Sequence, residues 1–180
     1  MLFYYMRCEQ TDFSRRRIMF NIGDLIVYGE NGVCRVDGLE ARPFGGENVN
    51  SYRLSPLYSS CVIYTPVENP TIFMRSVLEK RDAEELIAKI NELETDIFYS
   101  SVPRELIEKY DAIIKQHDAK TLAALVHSIR VKRDILLKQR KKLSAIDERY
   151  LKKASDLLFG ELAAVLGISR DEAVSKAFGK

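Results

Sequence analysis

The 180-residue chain has no tryptophan, two histidines, three cysteines, five prolines and no long apolar run. Each scarcity removes a class of protein. No stretch approaches the roughly 18–20 apolar residues that span a bilayer. The opening segment, MLFYYMRCEQTDFSRRR, puts a short apolar run ahead of its arginines, which does not fit a secretory signal, so a cytoplasmic protein is expected. An odd cysteine count without such a signal argues against a disulfide framework, and Cys8, Cys34 and Cys61 lack metal-ligand spacing. Cys34 and Cys61 lie in apolar strand-like runs and are expected to be small buried hydrophobes. His117 and His127 have no partner at motif spacing. There is no G-x-S-x-G, P-loop or H-E-x-x-H. The acidic turn DAEE (82–85) complements a helix dipole without a metal. No catalytic role, cofactor, metal or small-molecule substrate is expected.

What is present divides in two. The composition, 46% apolar and 30% charged, is that of a globular rather than a disordered chain. The net charge of +2 hides a split. Residues 19–100 hold 7 Lys/Arg against 13 Asp/Glu, a net of −6; residues 104–153 hold 14 against 7, a net of +7. Two modules with different partners are implied, the basic one able to face a polyanion.

From Phe20 to Val67 the pattern is β. LIVYG (25–29) is rich in β-branched and aromatic residues, and GENG (29–32) supplies a turn. In VCRVDGLE (33–40), Val33, Arg35, Asp37 and Leu39 alternate with Cys34, Val36, Gly38 and Glu40, imperfectly, as in a curved strand. RPFGGEN (42–48) reads as a loop. SYRLSPL (51–57) and CVIYTPV (61–67) follow as strands, with Pro56 and Pro66 at an edge or exit, and TIFMRSV (71–77) as a short fifth. Strand edges of such a barrel can accept another protein's strand.

After Val77 the period becomes helical. Ala83, Leu86, Ile87, Ile90 and Leu93 form one stripe, with Asp82 available as N-cap. Pro103 suits the first turn of a second helix. Asp118 caps a third, running to about Lys142. Ser144 with Asp147 opens a fourth that Gly167 ends, and Ser169 with Glu172 opens a short fifth. Cations fall at Arg130, Lys132, Arg133, Lys138, Arg140, Lys141 and Lys142, then at Arg149, Lys152 and Lys153, a pattern that serves either a solvated helical face or DNA phosphates. Phe98 and Tyr99 precede the basic helices, either as a staple onto the next helix or as a wedge at a base step. Residues 1–18 fit neither module and are expected to be loosely docked or disordered, with Met19 a natural start.

FNIGDLIVYGENGVCRVDGLE (20–40) resembles the opening of CarD/CdnL-type bacterial transcription regulators. Gly23 and Asp24, Val27 and Tyr28, Gly32 and Val33, Val36, and Leu39 and Glu40 match that pattern in order. The resemblance continues through SYRLSPL (51–57), IYTPVENPTIFMRSVL (63–78) and LSAIDERYLKKASDLLFGELAAVLGI (143–168). It implies an α+β chain: a non-family extension over 1–18, a small Tudor-like β-barrel over 19–78, and a compact all-α domain over 79–180. It further implies that the barrel binds the RNA polymerase β subunit by strand-edge pairing. The helical domain would contact promoter DNA in the minor groove at the upstream edge of the bubble and stabilise the open complex.

The implied site residues follow position by position. Arg42 and Phe44 align with an arginine and an apolar residue that touch polymerase. Tyr64 stands where the family carries a second basic polymerase contact. The family places a tryptophan wedge before its basic helices; here the slot falls near Tyr99, beside Phe98. Arg149 or Lys152 is nearest to the family's DNA-facing basic residue, and Arg104, Lys141 and Lys142 complete the expected DNA-facing set. The competing expectation is a protein-only polymerase adaptor with no DNA contact.

Overall fold

The structure, a computed structural model, describes residues 20–68 and 70–179; of Phe44 it describes the backbone alone. The expectation for residues 1–18 lies outside the described residues. Five strands come first: β1 (Leu25–Tyr28), β2 (Val33–Phe44), β3 (Glu47–Pro56), β4 (Ile63–Pro66) and β5 (Met74–Ser76). All pair antiparallel, in the order β4-β3-β2-β1-β5. The Gly-Asp turn before β1 is tied to β2: the Gly23 N–H donates to Val36 O (2.7 Å), and the Asp24 carboxylate accepts from the Asn21 N–H (2.8 Å). Ile26, Tyr28, Cys34, Val36, Tyr52 and Leu54 bury one face.

Three features depart from the sequence expectation. Segment 42–48 is no loop but the end of a β2–β3 arm. Gly45 and Gly46, at φ +63° and +93°, form a two-residue turn that only glycine enters freely. β1 pairs with β2 only over Val33 to Arg35, so Pro43 sits where β2 has a neighbour on one side alone. A bulge between Val36 and Gly38 reverses the alternation: Leu39 lies opposite buried Tyr52, and Gly38 and Glu40 face the other way. Cys61 is exposed in the turn before β4 because that strand begins only at Ile63; Cys34 is buried as expected.

Five helices follow: α1 (Lys80–Lys89), α2 (Pro103–Ile114), α3 (Ala119–Lys138), α4 (Ala145–Leu166) and α5 (Arg170–Phe178). Asp118, Ser144 and Ser169 each accept the N–H three residues on, as N-caps do. Asp82 does not: α1 starts earlier, with Glu79 at the cap position and Asp82 within the first turn. The helices share a core that includes Ile90, Ile114, Val126, Leu158 and Leu162. The fold is α+β.

α3 stops at Lys138, short of the expected Lys142. Arg140 N–H donates to Leu137 O (2.9 Å) and Lys141 N–H to Leu136 O (2.8 Å), a Schellman end with Arg140 at φ +59°. A glycine usually fills that position, and an L side chain there costs about 1 kcal/mol. Arg140→Gly is therefore expected to stabilise the fold by about 0.5 kcal/mol, the glycine's larger unfolded-state entropy offsetting part of the relief. A urea midpoint that does not rise would contradict this.

Sheet and helices meet along a seam centred on β5 and α4. The Arg75 guanidinium donates twice to the Glu161 carboxylate (2.6 and 2.8 Å), and its Nε donates to His117 O (2.8 Å). The Leu78 N–H also donates to Glu161 (3.0 Å). Tyr58 donates to Gly160 O (2.9 Å) across the seam; a Cβ on Gly160 would stand 3.1 Å from the Tyr58 ring, so this approach needs a small residue. Phe73 stacks on His117 with ring centroids 4.7 Å apart.

Candidate functional site

The first candidate surface is the β2–β3 arm with the β4 edge. β4 pairs with β3 on one side only, among the described residues, and leaves its other edge open. Glu40 and Arg42 of β2 share the outer face with Ser51 and Arg53 of β3 and Tyr64 of β4, because antiparallel partners point the same way. The structure brings two expected residues together there: the Arg42 guanidinium lies 3.9 Å from the Tyr64 ring centroid. Tyr64 thus holds the Arg42 cation against its face. Phe44 ends β2 directly before the glycine turn, opposite Glu47.

The second candidate surface is segment 93–102 with the loop after α3. The aromatic pair divides its tasks. Phe98 packs against the helical core, with the Lys109 ammonium 4.4 Å from its ring centroid. Tyr99 is 55% exposed and faces an open groove of about 450 Å³ lined also by Ser101, Leu136, Lys142 and Ser144. Phe98 is therefore the packed residue of the pair and Tyr99 the exposed one.

Beneath the groove lies a buried polar cluster. Lys132 donates to Asp147 (2.9 Å) and to Phe98 O (2.9 Å); Tyr110 and Ser144 also donate to Asp147 (2.7 and 2.8 Å). Burial alone would raise the Asp147 carboxyl, but the hydrogen bonds from Lys132, Tyr110 and Ser144 outweigh it and hold it below the ordinary carboxylate range. Burial, followed by the bond to Asp147, pushes the Tyr110 phenol up. Sequence reasoning counted Lys132 as a surface cation. The signal was there: Leu125, Ile129 and Lys132 fall at i, i+4 and i+7, on the core-facing stripe of α3.

The expected cations are dispersed. Lys142 lines the groove with Tyr99, whereas Arg104, Lys141, Arg149 and Lys152 lie outside its lining. Arg104 is 85% exposed and paired with Glu108 (2.6 Å). Arg149 leans on the Tyr150 ring at 5.0 Å, and Lys152 is exposed one turn on along α4. Lys153 is committed to Glu30 across the seam (2.8 Å). His117 and His127 are partly buried, and desolvation lowers both imidazoles below their usual range, so both are neutral near pH 7. Among the described residues no cluster of His, Cys, Asp and Glu could hold a metal, and no helix is long and apolar enough to cross a membrane.

An open strand edge thus marks the first candidate surface, and an exposed aromatic beside a groove marks the second. Residues 20–78 match the family model described as the CarD-like/TRCF RID domain, and residues 108–177 match that of the CarD C-terminal domain. The chain belongs to the CarD-like family, a non-enzymatic family of transcription-associated proteins that interact with RNA polymerase. Phe98, Tyr99 and Arg104 fall between the two matched segments.

Proposed function

We propose that this protein bridges RNA polymerase and promoter DNA and so stabilises the open complex. The sheet carries the polymerase side. The free edge of β4 offers unpaired N–H and C=O groups to a strand of the β subunit, and Arg42, Phe44 and Tyr64 flank that contact. The helical half carries the DNA side, with Tyr99 inserted into the minor groove at the upstream edge of the bubble and Phe98 supporting it from the core. Arg104, Lys141, Lys142, Arg149 and Lys152 contact phosphates around it and make binding salt-sensitive. The observation that carries this reading is Tyr99: a large aromatic, 55% exposed, that shares an open groove with Lys142 and lies just ahead of the basic stretch 104–153.

The test is retention of polymerase by the full-length protein, followed by its recruitment to a fork-junction promoter at low and moderate salt. The DNA is expected to add affinity that falls as salt rises. Arg42→Glu is expected to cut polymerase retention at least tenfold with the melting midpoint unchanged, since a reversed charge at an interface costs several kcal/mol. Retention of polymerase with no gain from the fork at either salt would establish the alternative, an adaptor without DNA contact.

A further inference from the structure

Segment 93–102, which carries Tyr99, belongs to no helix or strand. Its ties to α3 run from two buried polar side chains four residues apart. Ser128 Oγ accepts the Asp96 N–H (3.0 Å), and the Lys132 ammonium donates to the Phe98 carbonyl (2.9 Å). The same ammonium lies 4.9 Å from the centroid of the Tyr99 ring. Lys132 is only 6% exposed and its partner Asp147 only 2%. Lysine is almost never buried unless paired, and a buried ion pair adds little stability over an apolar pair of similar size. What such a pair supplies here is position. Asp147 is fixed by Tyr110 and Ser144, Lys132 by Asp147, and the backbone beside Tyr99 by Lys132.

We propose that Lys132 is a positioning residue for Tyr99, fixing the ring's place before DNA arrives without touching the DNA itself. A ring held in its bound position loses less freedom on binding, so its contact with DNA is tighter. This inference rests on the reading of Tyr99 as the DNA-facing wedge.

The experiment compares the lifetime of heparin-challenged open complexes for four full-length proteins: wild type, Tyr99→Ala, the paired change Lys132→Met with Asp147→Asn, and the triple variant. The paired change removes both charges together, so neither is stranded; asparagine can keep the bond from Tyr110 at its amide oxygen and donate its amide N–H to Ser144 Oγ in place of the second. The paired variant is expected to shorten the lifetime to within about twofold of Tyr99→Ala. The triple variant is expected to be no shorter than Tyr99→Ala, because both changes act through one ring. The slope of DNA affinity against salt should stay unchanged, whereas losing a phosphate contact lowers it by about 1.

A wild-type lifetime in the paired variant, beside a short one in Tyr99→Ala, overturns the positioning role alone. Additive shortening in the triple variant, or a reduced salt slope, overturns it in favour of an independent contact. A wild-type lifetime in Tyr99→Ala itself overturns the wedge and this inference together. A second variant, Lys132→Arg, keeps the charge beside Asp147 but replaces the compact ammonium under Phe98 O with a planar guanidinium of different donor geometry. It is expected to shorten the lifetime as the paired change does, and a wild-type lifetime again overturns the proposal.

Discussion

Glu161→Ala is expected to destabilise the protein by about 3 kcal/mol, the cost of stranding one partner of a buried ion pair. The Glu161 side chain is 3% exposed and holds three groups from the sheet side: both terminal nitrogens of Arg75 and the Leu78 N–H. Without it a largely buried guanidinium and a backbone donor lose their acceptor. For a chain of this length that corresponds to a melting midpoint lower by about 6–12 °C. The second ion pair across the seam, Lys153 with Glu30, has both side chains about a third or more exposed. Lys153→Ala should therefore cost at most about 1 kcal/mol. Two midpoints that fall equally would contradict this ranking, because burial and not the count of ion pairs sets it.

Tyr99→Ala is expected to shorten open-complex lifetime about tenfold while polymerase retention and melting midpoint stay at wild-type values. Aromatic contacts with bases are worth roughly 1–3 kcal/mol by alanine substitution, which brackets that factor. The exposed ring contributes little to the fold, so its removal separates the DNA contact from stability. Tyr99→Trp is expected to lengthen the lifetime beyond wild type, since indole presents a larger apolar face. Equal lifetimes for Tyr99→Ala and wild type would refute the wedge.

Local chemistry made much of the architecture legible. The side-chain caps at Asp118, Ser144 and Ser169 and the left-handed Gly167 lie where the sequence put them, because each is a contact within four residues. Features that depend on distant partners were not legible. The β2–β3 arm looked like a loop because Pro43 and two glycines argue against a strand unless one knows that β1 ends early. The end of α3 was hidden because an arginine occupies the left-handed position. At the candidate site, Arg42, Phe44 and Tyr64 are expectations from the resemblance alone, and the stacking of Arg42 on Tyr64 depends on the register that β3 sets between β2 and β4. Lys132 departs furthest from its expectation as a surface cation. Its burial is visible only when the stripe of α3 and the capping box of α4 are read together, since Asp147 compensates the charge from another helix.

The bridging role is tested most directly by a photoreactive phenylalanine analogue placed at position 99 of the full-length protein and irradiated within a polymerase–promoter complex. It is expected to crosslink to promoter DNA at the upstream edge of the bubble, with the yield falling when Arg42→Glu removes the polymerase contact. Crosslinks confined to polymerase subunits, with none to DNA, would contradict it.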